Sequence, residues 1–247
     1  MGFASLGSGS RGNGTLVSID DALFLVDCGF TMKQSERRLA RLRISPGDIT
    51  AILVSHEHSD HISGVAALAH RYSIPVYASH GTQKNSPRDF RSITFNGDEK
   101  FTLAGVTVNP VRVPHDSREP TQFVLSKGKI KIGVLSDLGC VTEHVVQEFQ
   151  GCQYLLLEAN HDRDMLLRGS YPPALKRRVG EDYGHLSNVQ ALNLLQRLAH
   201  PDLHVVIGHI SEQNNASDLV TRMFSEMKEQ LASLTIATQS EGFDWMG

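Results

Sequence analysis

Residues 51–61 read AILVSHEHSDH, four apolar positions followed by Ser55 and then by His56, His58, Asp60 and His61. A short apolar run bounded by polar residues is the pattern of a strand buried on both faces. The order His-x-His-x-Asp-His then crowds three imidazoles and a carboxylate at the strand's end, before a helical pattern that opens at Ile62. Imidazole nitrogen and carboxylate oxygen are ligands for zinc and neighbouring divalent metals, and α/β proteins assemble their sites at strand ends. The alternating spacing points His56 and His58 one way and Asp60 and His61 another. One ion cannot collect all four, so two metal positions are expected. The plain alternative is a polar surface loop that happens to hold histidines.

Outward from this stretch, apolar runs of strand length alternate with helical patterns. Residues 15–19 (TLVSI) and 22–26 (ALFLV), split by Asp20-Asp21, predict a hairpin with a tight turn. Residues 32–42 predict an exposed helix, 62–72 a second helix and 75–78 a short strand. The middle is strand-rich, with strands expected at 107–113, 121–126 and 129–135 and a turn near Gly128. Beyond it, predicted helices at 141–149, 187–198 and 216–230 each precede a strand, at 154–157, 204–207 and 234–237. Two strand-and-helix halves around a β-rich middle predict an α/β fold, a layered sandwich with helices on both outer faces. No repeat, low-complexity segment or Pro/Gly/Ser linker divides the chain, and residues 1–247 are expected to form one domain.

The 247 residues carry 24 Lys and Arg against 27 Asp and Glu, for a net charge of -3, and 40% of positions are hydrophobic. That composition excludes a disordered chain, and 21 Gly and 9 Pro without a period exclude a collagen-like one. No apolar run approaches the roughly 18 residues of a bilayer span, and residues 1–10 lack the charged start and apolar middle of a secretory signal. A soluble cytoplasmic protein with no membrane partner is expected. Cys28, Cys140 and Cys152 show no C-x-x-C spacing, which argues against a disulfide framework or a thiolate zinc site. A protein that grips a long nucleic acid by charge shows a basic excess, and none is visible globally. Lys176-Arg177-Arg178, and Arg37, Arg38, Arg41 and Arg43 in the first predicted helix, are local basic groups whose ordinary reading is a solvated helix face.

His56-x-His58-x-Asp60-His61 after a buried strand resembles the signature of the metallo-β-lactamase fold superfamily. The resemblance implies a four-layer αββα sandwich, two mixed sheets with helices on both outer faces, and two divalent metal ions per chain at its edge. It also implies later ligands in order along the chain. His115 follows residues 106–113, Asp137 follows 131–135 and His209 follows 205–207. By resemblance, His56, His58 and His115 hold the first metal, Asp60, His61 and His209 the second, and Asp137 bridges both. Zinc is the expected metal, with manganese and iron as alternatives that use the same donors. Residues 5–14 (SLGSGSRGNG), Asp27-Cys28-Gly29, residues 158–162 (EANHD) and 184–188 (GHLSN) further resemble the YycJ (WalJ) branch, described as 5'-to-3' exonucleases and related to tRNase Z and the phosphodiesterases. The chain leaves no room for the inserted domain of RNase J and CPSF-type nucleases or for the tRNA-gripping arm of tRNase Z.

In tRNase Z-like enzymes a glutamate after a strand and a histidine before the next helix handle protons, and Glu158 and His185 occupy those places. Glu158 is expected to orient His185 and raise its basicity, and His185 to protonate the departing oxygen. His185 also competes with His209 as the last ligand; His209 ends a buried strand, the stiffer mount, and is assigned the metal. Asp60 is expected to hold the nucleophile in line besides anchoring the second metal. Ser8, Ser10 and Asn13 in the glycine-rich opening, together with Asn160 and His161, are candidate substrate-binding residues; for the opening the alternative is tight turns. Two divalent ions about 3.5–4 Å apart lower the pKa of a bridging water, making hydroxide, and brace both oxygens of an in-line attack on phosphorus. The reading is a metal-dependent phosphodiester hydrolase acting on nucleic acid, DNA before RNA, as a monomer or homodimer. The alternatives are a small-molecule hydrolase of the same fold (a cyclic phosphodiesterase, or a thioester or lactone hydrolase) and a metal-binding protein without turnover.

Overall fold

The glycine-rich opening begins as a strand and only then becomes a loop. β1 (Gly2–Gly7) pairs antiparallel with β2 (Gly14–Ile19), which pairs with β3 (Ala22–Val26) in the expected hairpin. With Phe3 and Leu6 as its large apolar residues, β1 carries too little of the strand pattern to be read from sequence. The computed structural model describes residues 1–86 and 90–247. After β3 come α1 (Met32–Arg41), β4 (Ala51–Val54), α2 (Ser59–Ile62), α3 (Val65–Tyr72), β5 (Val76–Ser79), α4 (His80–Asn85) and β6 (Ile93–Phe95). From β3 to β6 the strands pair parallel in chain order. The helix expected at 62–72 is divided at Gly64, where a Cβ would stand 2.0 Å from Phe30 O.

The second half repeats the plan around an antiparallel start. β7 (Phe101–Leu103), β8 (Val106–Arg112), β9 (Thr121–Lys127) and β10 (Ile130–Leu135) form a meander. Then α5 (Glu143–Phe149) leads to β11 (Tyr154–Glu158), and α6 (Arg163–Arg168), α7 (Pro173–Gly180) and α8 (Asn188–Leu198) lead to β12 (His204–Gly208). After α9 (Ser217–Phe224) and a short 3-10 turn, β13 (Ser233–Ile236) closes this sheet, whose strands β10 to β13 run parallel. β14 (Phe243–Met246) returns to pair with β1. Among the described residues the strands thus make two seven-stranded mixed sheets.

The strand sequences explain the layering. Ala51 and Leu53 of β4 face a core shared by the two sheets, whereas Ile52 and Val54 face the opposite side with Leu39 of α1 and Leu68 of α3. In β11, Tyr154 and Leu156 enter the same shared core, and Leu155 and Leu157 pack with Phe149, Leu194 and Phe224 of α5, α8 and α9. Strands apolar at every position are what a sheet covered on both faces requires, and each fully buried side chain of this kind contributes roughly 1.5–3 kcal/mol. The result is helix, sheet, sheet, helix, as expected. The carboxyl ends of β4, β8, β10, β11 and β12 carry the polar residues that meet at the sandwich edge.

Candidate metal centre

Backbone bonds shape the histidine loop before any of its side chains act. Asn13 N donates to Asp60 O (2.7 Å), Cys28 N to His61 O (2.8 Å) and Gly29 N to Asn13 O (2.8 Å), so the glycine-rich turn and the turn after β3 clamp the loop between them. Glycine is required at position 29, because a Cβ there would stand 1.8 Å from Asp60 O. Asp27, Asp137 and His209, just beyond β3, β10 and β12, adopt left-handed backbone with φ of 62°, 52° and 51°. Such positions cost on the order of 1–3 kcal/mol and persist where surrounding bonds over-determine them. Here they turn the chain sharply out of each strand at the sheet edge.

His56, His58 and His115 form a trio. His56 Nε2 lies 3.1 Å and His115 Nε2 3.2 Å from His58 Nδ1. The partners on the far side of each ring decide where its proton sits. His115 Nδ1 donates to Gly184 O (3.0 Å), and His56 Nδ1 donates to Ser55 Oγ (2.9 Å), whose own proton goes to Asp27 Oδ2 (2.7 Å). His56 Nε2 and His115 Nε2 are therefore bare lone pairs aimed at a third nitrogen, which can donate to only one of them. A tetrahedral zinc with nitrogen at about 2.0–2.1 Å spaces its ligands by about 3.3 Å, close to what the trio shows. Burial, and then the charge of His61, hold His56 well below its ordinary value, and burial lowers His115 to about 4, so both stay neutral ligands.

Asp60, His61, Asp137 and His209 form a quartet whose donor atoms all lie within 4.8 Å of one another. His61 Nε2 is 3.4 Å from Asp60 Oδ2 and 3.2 Å from Asp137 Oδ2. His61 Nδ1 faces Asp27 Oδ2 (2.8 Å) and His209 Nδ1 faces Glu158 Oε2 (2.8 Å), which leaves the Nε2 atoms for the quartet. His209 Nε2 is buried and has no hydrogen-bond partner among the described residues, a costly state for a polar atom unless a cation satisfies it. Burial opposes charge on Asp60 and Asp137, but the imidazoles of His61 and His209 overcome it and hold both carboxyls below the usual range. In return the carboxylates, Asp137 foremost, overcome burial to hold His61 well above its ordinary value and to push His209 up to about 10. A divalent cation entering here displaces these protons. Trio and quartet both fit divalent metal ions, the first with three nitrogens and the second with mixed nitrogen and oxygen.

Glu158 lies fully buried beneath them. Its Oε1 accepts from Leu186 N (2.7 Å), and its Oε2 accepts from Asp137 N (2.6 Å), from His209 Nδ1, and from His185 Nδ1 at 3.2 Å. Burial opposes its charge, yet His185 and His209 hold it down to about 2. For His185 burial is likewise overcome, by Glu158 above all, and its proton affinity rises. Ser187 caps α8 through Gln190, and Asn160 N donates to Leu186 O (3.0 Å), so the His185 segment is pinned to the end of β11. Asp137, Glu158, His185 and His209 together make a second carboxylate-imidazole group that shares two members with the quartet.

Of these groups His58, Asp60, Asp137, His185 and His209 open onto a cleft of about 390 Å³ whose lining also includes Ser10, Tyr171 and Arg178. A larger cavity of about 830 Å³ beside α3, lined by Ala66, His70, Ile74 and Phe90, carries no carboxylate among the described residues and stands apart from this chemistry. Of the candidate substrate residues, Ser10 lines the cleft. Asn13 is buried, with its Nδ2 3.2 Å from Asp60 Oδ2 and 3.1 Å from His61 Nε2. Ser8 and Asn160 are buried and tied to His209, the first accepting from its N (2.8 Å) and the second donating to its O (3.1 Å). His161 is buried too, and its Nδ1 has no partner among the described residues. Sequence reasoning gave Asp27, Ser55 and Asp116 no role, and it read Arg178, with Lys176 and Arg177, as part of a solvated helix face. Ser55 stands inside the quoted stretch, and Asp27 opens the Asp-Cys-Gly turn.

A family model for the beta-lactamase superfamily domain matches residues 23–210. The chain is 34% identical to the exodeoxyribonuclease YycJ of Bacillus anthracis over 92% of this chain and 89% of that protein. It is 32% identical to the exodeoxyribonuclease WalJ of Streptococcus pneumoniae over 88% of this chain and 84% of that one. Among solved structures, the metallo-beta-lactamase fold protein YhfI from Bacillus subtilis superposes with a TM-score of 0.73 at 17% identity, covering 99% of this chain and 98% of its own.

Proposed function

The chain belongs to the beta-lactamase superfamily and is a metal-dependent hydrolase, and we propose that it is an exonuclease that cuts the phosphodiester bonds of DNA from the 5' end. The observation that carries this reading is the cleft floor: trio and quartet side by side, with His185 at the rim beside Glu158. The names borne by the two relatives support it, and so does the cleft's size. Small-ligand pockets run roughly 300–1,000 Å³, so about 390 Å³ seats one nucleotide at a strand end rather than a length of duplex.

Two divalent ions, zinc first and manganese or iron otherwise, would be held by His56, His58 and His115 and by Asp60, His61, Asp137 and His209. When bound they supply Lewis acidity that activates water and steadies the oxygens at phosphorus. The chain's own groups do the rest. Asp60, facing the cleft from the quartet, aligns the attacking water. His185 gives a proton to the departing oxygen, and Glu158 holds its Nδ1 so that the ring presents its other edge. Ser10 contacts the incoming strand. Incubation of the metal-loaded protein with end-labelled oligonucleotides bearing 5'-phosphate or 5'-hydroxyl ends, in zinc, manganese and iron, tests the reading. Progressive loss of nucleotides from the 5' end, abolished by a chelator, is expected. Intact DNA and RNA beside rapid hydrolysis of a small ester would sink it in favour of a thioester or lactone hydrolase.

A further inference from the structure

One wall of the cleft is made by Tyr171, Leu175, Arg178, Val179 and Gly184, from α7 and the turns on either side of it, and the segment that carries them departs in composition from the chain. Residues 163–184 hold five Lys and Arg against three acidic residues, whereas the whole chain is net acidic. Aromatic and apolar side chains stand among these cations: Leu167 and Tyr183 are 66% and 65% exposed, and Tyr171 lies on the cleft lining itself. Cations interleaved with exposed rings are how proteins track a single nucleic-acid strand, the cations meeting phosphates and the rings meeting bases.

Arg178 is the sharpest feature of this wall. The cleft lining carries Asp60, Asp116 and Asp137, and among the described residues Arg178 is its single Lys or Arg. Its Nε donates to Asp116 Oδ2, while Asp116 Oδ1 lies 3.5 Å from His115 Nε2 and 3.8 Å from His58 Nε2. One carboxylate therefore spans from the trio to the guanidinium and aims it. The two terminal amino groups of Arg178 have no protein partner among the described residues, and the side chain is 57% exposed. A guanidinium held at Nε with its fork free is arranged to grip a phosphate.

We infer that the wall made by α7 and the turns beside it is the landing edge for a single DNA strand, with Arg178 gripping the phosphate next to the one being cut and Tyr171 stacking on the terminal base. This inference rests on the phosphodiester reading above and adds the side chains that select its substrate. The test is binding of a short, fluorescein-labelled, 5'-phosphorylated single strand with nuclease-resistant phosphorothioate linkages to the metal-loaded protein, beside cleavage kinetics on the ordinary strand. Arg178→Ala should weaken binding about tenfold, raise KM more than it lowers kcat, and reduce the slope of log affinity against log salt by about 0.7, the loss of one phosphate contact on a single strand. Arg178→Lys should keep that slope, Tyr171→Ala should weaken binding about tenfold, and Tyr171→Phe should bind as wild type. Arg222→Ala, which removes the same charge from α9, should stay within about twofold, the margin that separates a local contact from general charge. Wild-type affinity in Arg178→Ala, or a loss no greater than that of Arg222→Ala, overturns the inference. A wild type that binds the strand as described but cuts no phosphodiester leaves the landing edge standing and removes the hydrolytic reading. A wild type that cuts DNA no better than Arg178→Ala, at equal affinity, does the reverse.

Discussion

In the trio, the outer nitrogens of His56 and His115 rest on neutral acceptors, the Ser55 hydroxyl and the Gly184 carbonyl. In the quartet, those of His61 and His209 rest on buried carboxylates, Asp27 and Glu158. A carboxylate behind an imidazole makes it a stronger base and a firmer ligand than a hydroxyl or carbonyl does. With Asp60 and Asp137 added, two imidazoles of the quartet are ringed by four carboxylates. His56 and His115 thus offer a cation preset, neutral lone pairs. The quartet offers charge, and protons must leave as a cation arrives. Three nitrogens suit zinc, whereas mixed nitrogen and oxygen also accept manganese, so the two halves of one cleft are expected to differ in which ion they keep.

The largest effects come from removing a donor from either half. His115→Ala should take the ion from the trio and His209→Ala the ion from the quartet, each leaving about one metal per chain by elemental analysis. Losing one such ion forfeits several kcal/mol of transition-state stabilisation, which at 1.36 kcal/mol per decade is ~10⁴-fold in turnover. If either substitution strips both ions, trio and quartet are one cooperative site and the comparison collapses. His185→Ala comes next. General acids contribute 10²–10⁴-fold, so a fall of ~10³ in kcat is expected with metal content unchanged. Loss of an ion in that variant would instead make the group of Asp137, Glu158, His185 and His209 the second metal position.

The candidate donors were legible and their supports were not, for a physical reason. The seven donors lie in the loops after β4, β8, β10 and β12 or in the short helix α2 that opens from the first of them, and strand ends show in the apolar pattern of a single segment. The supports depend on which strands are neighbours. Asp27 reaches His61 because β3 pairs parallel with β4, and Glu158 reaches His209 because β11 pairs with β12, contacts across 34 and 51 residues that no local pattern records. Ser8 and Asn160 illustrate the converse: a polar side chain in a loop looks the same in sequence whether it faces a ligand or the backbone of His209. Of the fold, the layers and the central strands other than β1 were legible from apolar runs. The edge strands β6, β7 and β14 were not, because they are short and leave residues such as Ile93 and Trp245 in solvent. The helices α6 and α7, of which α7 borders the cleft, lack a buried stripe to betray them, and α7 has no buried residue.

A middle tier of effects lies in the carboxylate supports. Glu158→Gln and Asp27→Asn keep shape while removing charge behind His209 and His61, and each should lower activity about 10–100-fold with the quartet ion held more weakly. Asp27→Asn should also destabilise the fold. Asp27 Oδ1 accepts from Ser55 N (2.8 Å) and Oδ2 from both Ser55 Oγ and His61 Nδ1, so an amide in either orientation sets a donor against a donor. That leaves a buried group unsatisfied at about 1–3 kcal/mol, readable in denaturant unfolding. Unaltered activity and stability in both variants would show that the buried carboxylates do not distinguish the quartet.

The smallest effect belongs to the trio's own support, and it is the one that sharpens the contrast most. Ser55→Ala removes the hydroxyl on which His56 Nδ1 rests and which passes its proton to Asp27. A neutral hydroxyl adds little basicity to the ring, and the ring has other restraints: His56 is fully buried, and its centroid lies 4.1 Å from that of His61 and 4.9 Å from that of His115. The trio ion should therefore be retained and activity should fall only about threefold, below the range seen when an outer contact that tunes a ligand is lost. A drop as deep as that of Glu158→Gln would mean that Ser55 transmits the charge of Asp27 into the trio. In that case both halves of the cleft would lean on the same buried carboxylate, and the division between neutral and charged supports would reduce to a difference in distance along one hydrogen-bonded chain.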